Sequence, residues 1–119
     1  MEELRWSMRF PVRAFTRLDC NGYGFVYGMT REMSFEGLFL ETRGRLPRSQ
    51  KYTFATVKHP DRQVRRGMGD LIIPARVARV SDTGLALLFE EYGDAVLEGL
   101  AMLMGNAAMA PGRRRAAVH

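Results

Sequence analysis

Cysteine occurs once in the 119 residues, at Cys20. A lone thiol excludes an intrachain disulfide and a cysteine-rich zinc site, and it fits a reducing compartment, so a cytoplasmic chain is expected. Histidine is almost as scarce. His59 lies beside Pro60 in a polar stretch and His119 is the last residue, and neither has a nucleophile or a metal-ligand spacing around it. Both read as solvated, and no acid–base pair or nucleophile constellation points to an enzyme or a cofactor. Nowhere does an apolar run approach the ~18 residues of a membrane span, and no basic start leads into an apolar leader. Lysine is rare too: of 18 basic residues only Lys51 and Lys58 are lysine, and the rest are arginine.

What is present describes one folded domain. Hydrophobic residues make up 46% and charged residues 26%, ordinary values for a packed chain of this length. The net charge of +5 is unevenly spread. Residues 80–112 contain no basic side chain but carry Asp82, Glu90, Glu91, Asp94 and Glu98, so the positive field belongs to the first two thirds and to Arg113, Arg114 and Arg115. Arginine presents a flat fork of donors that matches phosphate and the guanine edge, and an anionic partner is expected on the basic part.

The body reads as short strands. Over 8–18, Arg9, Arg13 and Arg17 share one parity while Phe10, Val12, Ala14 and Leu18 share the other, a strand with a basic and an apolar face. Asn21-Gly22 signals a hairpin, and Cys20 beside it reads as an exposed spectator thiol. Further strands are expected over 23–29, 37–42, 52–57, 71–80 and 85–89, with a polar irregular stretch at 30–36 and a long mobile hairpin loop at 59–70. Six short strands joined by turns suggest an antiparallel barrel or sandwich. Asp94 then caps a helix in which Val96, Leu97, Leu100, Leu103 and Met104 share a face, with Gly99 as an interior cost of about 1 kcal/mol and Gly105-Asn106 as the stop. The expected organisation is a flexible N-terminal arm at 1–9, a barrel plus helix at 10–105 and a disordered basic tail at 106–119.

Two segments stand out. Arg5-Trp6-Ser7-Met8-Arg9 places two arginines four apart just before a strand, and Glu32-Met33-Ser34-Phe35-Glu36-Gly37 places an acid, a serine and a glycine at fixed offsets before another. In this order and separation they resemble the two signatures of the PilZ domain family, RxxxR followed about one hairpin later by (D/N)xSxxG. Phe10-Pro11-Val12 after Arg9, the run Ala75–Val80 and the Leu87–Phe89 strand followed by a helix agree with that plan, so the resemblance covers residues 4–104. It implies a mainly β fold, a six-stranded antiparallel barrel with a C-terminal helix, and a receptor for cyclic di-GMP.

The resemblance also implies roles. Arg5 and Arg9 would clamp phosphate and guanine, with Arg13 as a third contact and Trp6 covering a base. The acid at position 32 would accept from the guanine N1–H and N2–H₂ edge, Ser34 would add a hydroxyl contact, and Gly37 would let the backbone approach closely or take a φ that other residues avoid. A lone domain of this kind would signal through an unidentified protein effector in motility, pili, exopolysaccharide synthesis or cell-cycle control. Two positions depart from the pattern: Glu32 stands where the family has Asp or Asn, and Leu4 where many members have another arginine. Glutamate adds a methylene to a site shaped for a shorter acid, so weakened binding is one reading and a degenerate, ligand-independent interaction module is the alternative. A nucleic-acid-binding barrel ranks below both, because the aromatic residues form no obvious stacking row in the sequence.

Overall fold

The computed structural model describes residues 8–20, 24–42 and 52–108. Alternation of side chains sorts them into an inside and an outside. In β1 (Phe15–Cys20), Thr16, Leu18 and Cys20 are buried, and in β4 (Tyr52–Val57), Thr53, Ala55 and Val57 are. The same period runs through β5 (Leu71–Val80), where Leu71, Ile73, Ala75 and Val77 point inward. With β2 (Gly24–Met33), β3 (Gly37–Glu41) and β6 (Gly84–Phe89) they form a closed antiparallel barrel in the order β1-β2-β3-β6-β5-β4. The β1–β4 ladder, from Thr16↔Val57 to Cys20↔Thr53, closes it.

Leu18, Met33, Leu40, Val57, Ile73 and Leu85 fill the interior. Helix α1 (Arg62–Met68) lies between β4 and β5, and α2 (Asp94–Ala108) follows β6. From α2, Leu100, Leu103 and Met104 join the barrel core, as the helical spacing predicts. A Cβ on Gly99 would lie 2.6 Å from Cδ1 of Leu71, so the helix glycine buys close packing against β5. The helix runs to Ala108, past the Gly105-Asn106 stop expected from sequence. Among the described residues, no helix is long and apolar enough to cross a membrane.

Several expectations are corrected. The first strand does not span 8–18. Its alternation holds, with Val12 and Ala14 buried, but ladder pairing starts at Phe15 and only Phe10 bridges to Met33 before it. Pro11 has no N–H to offer, and the side chain of Thr30 takes the place of a ladder: its Oγ1 accepts from Ala14 N at 2.9 Å and donates to the Val12 carbonyl. The irregular stretch expected at 30–36 is, up to Met33, a continuation of β2 whose register shifts between Thr30 and Glu32. A second shift, between Val77 and Arg79, ends the alternation of β5, whose Ala78, Arg79 and Val80 are all exposed. The Asn21-Gly22 turn lies outside the described residues, although β1 and β2 pair on either side of it, with Cys20 opposite Gly24.

Neither Cys20 nor His59 is solvated. Cys20 faces the core, and burial pushes its thiol up from the ordinary cysteine value, which suits an inert packing group. His59 is buried, its Nδ1 accepting from Asp61 N at 2.9 Å while its carbonyl accepts from Arg65 at 2.8 Å. The expected mobile loop at 59–70 therefore contains α1, capped by Asp61 Oδ1, which accepts from Gln63 N at 2.9 Å.

Thr30→Val tests how residues 10–14 are held. It keeps the shape but leaves Ala14 N–H and the Val12 carbonyl unpaired in a buried place, and the loss should be about 1–3 kcal/mol in denaturant unfolding. Thr30→Ser, which keeps the hydroxyl, should lose less.

Candidate functional site at the β2–β3 end of the barrel

The chain leaves β2 at Met33 and enters β3 at Gly37 through a tight, fully bonded turn. Ser34 is buried, and its Oγ accepts from Glu36 N at 3.0 Å and from Gly37 N at 3.3 Å, while its own N–H donates to the Gly37 carbonyl at 2.8 Å. Two outside bonds clamp the turn: Phe89 N to the Glu36 carbonyl at 2.8 Å, and Tyr92 Oη to the Phe35 carbonyl at 2.7 Å. Burial, with Glu36 nearby, pushes the Tyr92 hydroxyl above the ordinary tyrosine value, so it remains a donor at neutral pH. Sequence reasoning missed Tyr92, which belongs to neither motif.

Gly37 has a structural reason to be glycine. Its φ is not positive; instead a Cβ there would sit 2.1 Å from the Leu87 carbonyl oxygen on β6. The close approach is to the neighbouring strand, and the unusual φ offered as an alternative does not occur.

Arg9 and Glu32 meet beside this turn. The Phe10–Met33 bridge, with Phe10 N to Met33 O at 2.8 Å and Met33 N to Phe10 O at 2.9 Å, holds the two segments together. An Arg9 nitrogen then lies 3.4 Å from Glu32 Oε2, with the arginine side chain 63% exposed and the glutamate 35%. Arg9, Ser34 and Gly37 line one recess of about 70 Å³ with Ala78, Ala86 and Leu87, and Glu32 flanks it through Arg9. Four of the residues singled out from sequence are thus gathered at one place, 28 positions apart at the extremes. Arg5 and Trp6 lie outside the described residues.

Arg13 is not part of this cluster. It donates to Glu41 at 2.8 Å and lines a separate groove of about 730 Å³ with Phe15, Tyr27, Gly28, Met29 and Thr83, at the far end of β3 from Gly37. Arg31 reaches the same carboxylate at 3.7 Å and lies over the Phe39 ring at 4.1 Å. The Arg13 hydrogen bond chiefly, helped by the charges of Arg13 and Arg31, holds the Glu41 carboxyl below the ordinary glutamate value. Among the described residues, no group of three or more His, Cys, Asp or Glu is placed to hold a metal.

No protein-family model matches the sequence, and no curated protein matches it. Among solved structures, the fold matches the crystal structure of the PilZ domain of CeSA from a cellulose-synthesizing bacterium, with a TM-score of 0.63 and 16% identity over 84% of this chain and 98% of that one. The barrel with its C-terminal helix is therefore of the PilZ type.

Two outcomes follow. Gly37→Ala should lower stability by about 1–3 kcal/mol in thermal or denaturant unfolding, because the added methyl collides with the Leu87 carbonyl. For Glu41, a folded-state pKa below the unfolded value near 4.5 means stability that is present above that pH and lost as pH falls through the folded value. Carboxyl-resolved NMR titration should show Glu41 titrating below an ordinary glutamate, and Arg13→Ala should move it upward.

Proposed function

We propose that this chain is a non-enzymatic receptor for cyclic di-GMP that signals through a protein partner. The observation that carries this reading is the convergence of Arg9, Glu32, Ser34 and Gly37 at one end of a PilZ-type barrel. The exposed guanidinium of Arg9 can give two parallel donors to a phosphate or to guanine O6 and N7. Glu32 can accept from the guanine N1–H and N2–H₂ edge. Both acceptor directions of Ser34 Oγ are used by the turn, so its contribution to a ligand is donation of its O–H. The recess is too small for a dinucleotide, so the ligand rests on it and is clasped by residues preceding Arg9, with Arg5 as the second cation and Trp6 stacking on a base. Drawing that segment onto the barrel changes the surface a partner protein reads. Arg13, engaged by Glu41 in another groove, is not a ligand contact in this reading.

The longer acid at position 32 has a physical consequence. Its carboxylate pairs with Arg9, and a ligand must displace that ion pair to use either group. An exposed, screened pair of this kind is worth about 0–1 kcal/mol, which lowers affinity by no more than roughly fivefold. The same contact favours the second reading, a degenerate module that closes its own site and acts through protein contacts alone.

Calorimetric titration with cyclic di-GMP separates the two. The receptor reading expects saturable binding in the wild-type chain, loss of at least about tenfold in Arg9→Ala, and equal or tighter binding in Glu32→Asp. Absence of binding in the wild type would contradict it, and binding gained in Glu32→Asp would then mark a degenerate site that acts through protein contacts alone.

A further inference from the structure

The outer face of β2, β1, β4 and β5 is aromatic to a degree the sequence does not reveal. Phe25 and Tyr27 are 57% and 52% exposed, Phe15 and Phe54 41% and 42%, and Ile72 56%. Strand register makes them neighbours. One row across the strands runs Phe25, Asp19, Phe54, Pro74, and the next runs Tyr27, Arg17, Thr56, Ile72. The rings pack on one another, Phe15 on Tyr27 at 5.8 Å and Tyr27 near Phe25 at 6.4 Å. At the centre Arg17 Nε lies 3.1 Å from Asp19 Oδ1, and the guanidinium stands 4.7 Å from the Phe25 ring centre.

We propose that this face is the contact between two copies of the chain. Its charge pattern is self-complementary. A two-fold axis lying in the contact plane, across the strands and midway between the two rows, exchanges one row for the other. Arg17 of each copy then meets the Asp19 carboxylate of the other, and Phe25 of each copy meets Tyr27. The strands of the facing sheets run antiparallel in projection, the aligned form of sheet packing. Balance between Arg17 and Asp19 leaves the face neutral, which suits a second copy and disfavours an anionic strand. Barrel closure leaves no strand edge among the paired elements, so pairing must use a face.

Four strands about 4.8 Å apart and five residues long give a footprint on the order of 300 Å² in projection. That is well below the ~800 Å² per partner of a standard interface, so the dimer is weak, with a dissociation constant in the micromolar range or above.

Sedimentation velocity from low micromolar to near-millimolar chain tests this. The wild type should shift from monomer to dimer. Arg17→Asp and Asp19→Arg should each weaken self-association by about tenfold or more, since each makes the facing rows like-charged. An equimolar mixture of the two variants should dimerise again, and the combined Arg17→Asp, Asp19→Arg chain should dimerise by itself. Tyr27→Ser, which leaves both charges, should also weaken the dimer. A monomeric wild type throughout, or a dimer indifferent to both charge reversals, would overturn the proposal. A monomer that instead binds a single-stranded oligonucleotide through these rings would overturn it in favour of nucleic acid.

Discussion

The β1–β4 ladder turns a six-stranded sheet into a barrel, and the placement of every group discussed above depends on it. With strands paired on both sides, backbone donors and acceptors are satisfied around the ring, and inward parity becomes an enclosed core. Thr16, Leu18 and Cys20 on β1 interlock there with Thr53, Ala55 and Val57 on β4. The outward parity of the same strands then has no choice but to display Phe15, Arg17 and Asp19.

The β3–β6 ladder is packed so tightly that Gly37 lies against the Leu87 carbonyl. The β2–β3 turn is therefore fixed from below by β6, from within by Ser34 and from the side by Tyr92. Rigidity of this turn gives the receptor reading its logic: one wall of the site is preformed, so a ligand would meet it without reorganising it. The serine and glycine thus have roles in holding the turn, whether or not a ligand is bound.

Much of this was legible in the sequence. Period-two alternation over 8–18 gave the inward Val12, Ala14 and Leu18, and the i, i+4, i+7 spacing from Val96 gave the inner face of α2. The paired motifs single out Arg9, Glu32, Ser34 and Gly37, and the fold brings these four side by side. What failed was whatever depends on register or on tertiary contact. Cys20 looked exposed because a turn signal follows it, but parity with Leu18 places it inside. His59 looked solvated because its neighbours are polar, and α1, only seven residues long, is too short to show periodicity. Phe15, Phe25, Tyr27 and Phe54 are scattered along three strands, and only cross-strand pairing shows them as one surface. Arg13 continues the four-residue spacing of Arg5 and Arg9, yet the carboxylate of Glu41, 28 positions away, decides where it goes.

The central claim is that the β2–β3 end of the barrel is where the second messenger lands. Backbone amide NMR during titration with cyclic di-GMP addresses it directly. The account predicts saturable shifts concentrated at Arg9, Phe10, residues 32–37 and the flanking Ala78 and Leu87, with the Arg13–Glu41 groove and the aromatic outer face quiet. Shifts centred on that groove or on the outer face, or none at all at saturating ligand, would contradict it.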